Sequence, residues 1–83
     1  KPRQSMSKVT IYTTPSCVYC KMTKVFFKEN NISYEEKDVS TDATARDEMI
    51  AKSNQMGVPV IDIDGELTIG FDKERLSKLL HLK

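Results

Sequence analysis

The sequence is most informative in what it has little of. It has two cysteines and one histidine in 83 residues. Two cysteines cannot build the disulfide framework of a small secreted scaffold. Two cysteines and His81 fall short of the four ligands of a structural zinc site, and His81 reads as a surface residue at a helix end. Charge of one sign is also missing. Formal net charge is +1, with acids and bases interspersed, so there is no basic field to hold a nucleic-acid backbone. No apolar run approaches a membrane span, and no signal-peptide pattern is present. A cytoplasmic protein that contacts no membrane is expected. No internal repeat or low-complexity stretch occurs.

What remains has the composition of one globular domain. Hydrophobic residues make up 39% and charged residues 30%. A domain of this size buries roughly 60–65% of its unfolded surface, enough for one modest core. Lys1 to Ser5 (KPRQS) reads as an expression-derived tail, with Met6 as the start of a single domain over 6–83.

Lys8–Tyr12 (KVTIY) is rich in β-branched residues and reads as a strand. Val18, Met22, Val25 and Phe26 recur at helical spacing, which predicts a helix from Val18 to Asn30 with that set as its core face. Ile32–Val39 reads as a second strand. Ser40 or Thr41 can cap a second helix, with Asp42 in its first turn. Asp42–Arg46 and Glu48–Lys52 have the spacing of helical ion pairs. Pro59–Ile63 (PVIDI) follows as a strand after Gly57 and leads through an Asp64-Gly65 hairpin turn into Glu66–Gly70 (ELTIG). Asp72 caps a last helix with Leu76, Leu79 and Leu80 on one face. The order β-α-β-α-β-β-α suits an α/β fold, a mixed four-stranded sheet with helices on both faces. Met22, Phe26, Met49 and Ile50 are expected in the core, and Lys21, Lys24 and Lys28 along a basic helical stripe.

The two cysteines stand in TPSCVYCK, Thr14 to Lys21. A disulfide between them closes about four residues and stabilises by only about 2 kcal/mol, little for a purely structural bond. C-x-x-C between a strand and a helix suits redox exchange instead. Cys17 falls at the helix N-terminus, where unpaired N–H groups and the dipole favour a thiolate. Cys20 falls one turn inside. A thiol of ordinary pKa near 8.5 is only about 3% ionised at pH 7. Favouring the thiolate gains little in attack rate, because nucleophilicity falls as well, but it makes a better leaving group. Cys17 is therefore expected to attack a disulfide and later to leave. Cys20 is expected to resolve the mixed disulfide.

These residues, with Gly57–Val60 (GVPV), Asp62–Glu66 (DIDGE) and Ile69–Asp72 (IGFD), resemble the glutaredoxin family of the thioredoxin fold over Lys8 to about Leu80. The resemblance implies a cis Val58–Pro59 peptide facing the cysteines, with Val58 backbone groups free to pair with an extended peptide. It implies that Thr14 and Tyr19 border a ligand groove. It also implies that Gly70 and Phe71 approach the ligand, and that the helix start at Asp72 and Lys73 receives a carboxylate. Glutathione is the implied co-substrate, with no cofactor resident. Four positions depart from the glutathione-binding pattern. Thr14 and Met56 stand where basic residues are frequent, Gly70-Phe71 replaces Gly-Gly, and Val18 replaces a proline. Val18 and Gly70-Phe71 resemble the small redoxins that serve ribonucleotide reductase and take electrons from thioredoxin reductase. Three functions follow as expectations. The first is a thiol-disulfide oxidoreductase acting on protein disulfides or glutathione mixed disulfides, coupled to glutathione or thioredoxin reductase, as a monomer. The second is a glutathione-dependent [2Fe–2S] carrier. The third is a non-catalytic binding module.

Overall fold

A computed structural model describes residues 8–80. The readings of the amino-terminal tail, Met6 and His81 lie outside the described residues. The elements are β1 (Val9–Thr13), α1 (Val18–Glu29), β2 (Glu35–Asp38), α2 (Ala43–Ser53), β3 (Val60–Ile63), β4 (Glu66–Ile69) and α3 (Lys73–Leu79). They form one sheet in the order β2-β1-β3-β4. β1 and β2 are parallel across α1, while β1–β3 and β3–β4 are antiparallel. This is the thioredoxin fold. Among the described residues no helix is long and apolar enough to cross a membrane.

Strand alternation divides the core in two. Val9 and Ile11 of β1, with Ile61 and Ile63 of β3, face α1 and α3 and meet Phe26, Phe27, Leu76 and Leu80. Tyr12 and Val60 face the other way and meet Ala45 and Met49 of α2. Every β1 residue is buried because both faces are covered. Asp64 and Gly65 both take positive φ, 53° and 93°, as a two-residue hairpin turn of this hand requires.

Several expectations are corrected. The ladder runs one residue past Tyr12, because Thr13 pairs with Asp38. β2 is only Glu35–Asp38, since pairing with β1 begins at Thr10. Ile32 and Tyr34 pack on the first cluster from irregular chain instead. The cap of α2 is Asp42, not Ser40 or Thr41; its side chain accepts the Ala45 N–H at 3.0 Å. The two helical ion pairs do not form, because Glu48 holds Lys37 and Lys52 holds Asp62. Met22 is 43% exposed, and Val18 and Val25 are more so. The buried face of α1 is Cys20, Thr23, Phe26 and Phe27.

α2 covers only one end of its sheet face, and charged side chains occupy the rest. Lys52 donates to Asp62 Oδ2 at 2.8 Å and to the buried Tyr12 hydroxyl at 3.0 Å. Asp62 Oδ1 accepts the Gly65 N–H of the hairpin. Lys52 and Asp62 therefore join the two stems of the loop that carries residues 54–59. Burial raises the Asp62 pKa, but the Lys52 ammonium and the Gly65 N–H outweigh it and hold it below the usual value. Stability from this lowered pKa is present above the ordinary aspartate pKa, about 3.9. It is lost as pH falls towards the folded value. Lys52→Met should lower Tm at pH 7 by about 5–10 °C, corresponding to roughly 1–2 kcal/mol for a domain this small. Melting curves should show that gap narrowing at pH 3; an equal gap at both values would remove the ion pair as the cause.

Candidate active site

Three chain segments meet at one end of the sheet. β1 ends at Thr13 and gives way to the loop that starts α1. β3 begins at Val60, paired with Tyr12, so the Val58–Pro59 peptide directly precedes the strand that lies beside the end of β1. The Gly70 N–H donates to Pro59 O at 2.8 Å, which brings Gly70, Phe71 and Asp72 to the same end. The topology thus assembles the residues that the sequence motifs carry.

Cys17 is the N-cap of α1. Its N–H donates to Thr14 O at 3.2 Å, closing the turn before the helix. Its Sγ accepts the Cys20 N–H at 3.0 Å, the place usually filled by a serine, threonine or aspartate oxygen. Cys17 is half-exposed, so a substrate sulfur can reach it. Cys20 is 1% exposed and packed beneath. Both are free thiols. Burial first, and then the hydrogen bond with Cys17, push the Cys20 thiol up to about 12. One sulfur is therefore open to solvent and the other enclosed.

The Val58–Pro59 peptide is cis, as the family likeness implies. Pro59 is buried and Val58 half-buried against the second cluster. Among the described residues, neither the N–H nor the C=O of Val58 has a backbone partner, so both can pair with an extended chain. Gly70 has φ +81°, with open space where a Cβ would stand; a side chain is excluded there by backbone conformation, not by crowding. Phe71 is partly buried, edge-on to Phe26 with ring centroids 6.0 Å apart. The Asp72 carboxylate caps α3 by accepting the Arg75 N–H at 3.1 Å. A ligand carboxylate at this helix start would share the place with that carboxylate.

Thr14 is half-buried, and Tyr19 is exposed on α1. Met56 is 66% exposed, two residues before Val58. Neither Thr14 nor Met56 brings the positive charge that glutathione recognition often uses. Of the lysine stripe, Lys24 is bound to Glu36 at 2.9 Å, so it is not free to meet a partner. The sequence reading missed an exposed apolar strip on α1 made by Val18, Met22 and Val25. Its signal was present, since the helix has more apolar positions than one face can hold.

The Glutaredoxin family model matches residues 9–68. A glutaredoxin-like 8.6 kDa protein encoded in a rubredoxin operon of Clostridium pasteurianum is 44% identical over 72 residues, covering 87% of this chain and 96% of that one. Glutaredoxin 3 of Escherichia coli is 36% identical over 67 residues, or 81% of each chain. The NrdH-redoxin of Escherichia coli, a glutaredoxin-like protein with a thioredoxin-like activity profile, superposes with a TM-score of 0.79. It is 25% identical, with 87% of this chain and 93% of that one covered.

Iodoacetamide at pH 7 should place one carbamidomethyl group on the reduced protein, at Cys17. Peptide mass mapping reads the site, and comparable labelling of Cys20 would contradict the assignment of a protonated, buried second thiol.

Proposed function

Because the chain belongs to the glutaredoxin family, we propose that it reduces protein disulfides by two-step thiol exchange, with electrons from a thioredoxin reductase. One observation carries the exchange. Cys17 Sγ caps an open helix end with a donor 3.0 Å away, and Cys20 waits buried behind it. The Cys17 thiolate attacks one sulfur of the substrate disulfide. The S–S bond breaks, the far sulfur leaves as a thiolate and takes a proton, and a mixed disulfide forms. Two of the causes that raise the Cys20 pKa, its hydrogen bond and its charge interaction with Cys17, end at this step. Cys20 then loses its proton more easily and attacks Cys17 Sγ. The substrate leaves as a dithiol, and the Cys17–Cys20 disulfide carries the two electrons' worth of oxidation. An NADPH-dependent reductase returns them.

The donor assignment rests on charge. Glutathione carries two carboxylates, and Thr14 and Met56 place neutral side chains where cations would have met them. The NrdH-redoxin, with its thioredoxin-like activity profile, supports the same reading.

NADPH consumption with the mixed disulfide of 2-hydroxyethanethiol and glutathione tests this. One reaction contains bacterial thioredoxin reductase alone; the other contains glutathione and glutathione reductase. Turnover is expected in the first. Turnover confined to the second would reassign the donor to glutathione. Cys17→Ser should fall to the uncatalysed rate in both. Cys20→Ser should trap a protein substrate as a mixed disulfide, seen as added mass that dithiothreitol removes.

A further inference from the structure

α1 carries two apolar stripes, and the core uses only one. The second, Val18, Met22 and Val25, lies at i, i+4 and i+7 and is exposed. Phe71 rises beside it from the other side, edge-on to Phe26. Between them runs a groove of about 390 Å³, with Phe26 at its floor. It begins beside Cys17, because Val18 is the next residue.

The charges along the groove have an order. Lys21 lies one turn into α1, near the Cys17 end, and Lys73, the first residue of α3, also lines the groove. Glu29, the last residue of α1, stands at the far end. None of the three is in an ion pair among the described residues. From Lys21 to Glu29 the helix rises about 12 Å, or 1.5 Å per residue. That is about four residues of extended chain. Glutathione has no apolar side chain to fill this span.

We propose that the groove docks a short segment of the protein partner, with an acidic residue next to its reacting cysteine, apolar residues beyond, and a basic residue about four positions away. The acid meets Lys21 and Lys73, the apolar side chains cover Met22, Val25 and Phe71, and the base meets Glu29. The docked segment holds its sulfur at Cys17. This rests on disulfide exchange at Cys17 and names the kind of partner that the exchange serves.

Two synthetic peptides of equal charge and composition test it: Cys-Asp-Leu-Leu-Lys and Cys-Lys-Leu-Leu-Asp. Each cysteine is joined to thionitrobenzoate as a mixed disulfide. Cys17 attacks the peptide sulfur and releases coloured thionitrobenzoate. Cys20 then displaces the peptide thiol and closes the Cys17–Cys20 disulfide. In a single turnover of the reduced protein, the acid-first peptide should react with a second-order rate constant about tenfold higher, a difference of about 1.4 kcal/mol. Lys21→Glu combined with Lys73→Glu should reverse the preference. Val25→Ser should lower the rate on the acid-first peptide relative to that on 2-hydroxyethyl disulfide. Equal rates for the two peptides, or a preference that the charge reversal does not move, would overturn the docking proposal and leave exchange intact. No reaction with any of the disulfides would instead overturn the exchange reading itself.

Discussion

The hydrogen bond from the Cys20 N–H to Cys17 Sγ requires α1 to begin at residue 18. A start one residue earlier or later would turn each side chain by about 100° around the axis and take the sulfur off the helix end. The start is held from both sides. On one, the Cys17 N–H closes a turn onto Thr14 O, directly after the last paired residue of β1. On the other, Phe26 and Phe27 anchor α1 in the core, and Thr23 Oγ1 donates to Tyr19 O inside the helix. The nucleophile is thus placed by the packing of a helix some two turns away as much as by its own turn.

The same anchoring explains why the site lies open on one flank. α1 is pulled onto the sheet by Cys20, Thr23, Phe26 and Phe27. That choice of face turns Val18, Met22 and Val25 outwards. An 83-residue chain with one sheet has too few elements to cover a second helix stripe. A monomer seldom keeps a contiguous apolar strip without a use. Here the strip starts next to Cys17, at Val18, which is why the proposed use is docking of the partner that exchanges with that sulfur.

Much of the fold and the centre of the site were legible in the sequence, and the failures share a cause. The order of elements along the chain, the Asp64-Gly65 turn, the Asp72 cap and the position of Cys17 at a helix start each depend on a local signal. The choice of buried face on α1 does not. Met22 and Phe26 are both apolar and a turn apart, and only the sheet decides which is covered. The expected pairs Asp42–Arg46 and Glu48–Lys52 were locally sound, but Asp42 serves the helix end and Lys52 finds Asp62 and Tyr12 on neighbouring strands. Ser40 or Thr41 is read as the cap of α2 with Asp42 in its first turn, but Asp42 caps as well as either, and local composition does not rank the three. The expected roles of Val58, Gly70 and Phe71 rest on family likeness, since nothing in their own spacing points to a shared site.

In the proposed exchange, the two sulfurs also set the order of the steps. While Cys17 is free, its proximity and hydrogen bond help keep Cys20 protonated. Cys20 therefore does not compete for substrate. Once Cys17 is bound to a substrate sulfur, that restraint is released, and Cys20 is one helical turn from the only disulfide it can reach. A buried second thiol would be a poor nucleophile for a substrate in solution. For an intramolecular attack its burial is an advantage, because proximity replaces diffusion and water is kept from the reacting sulfurs. The stepwise order of attack and resolution thus follows from one helix end and the depth of one side chain, with no moving part required.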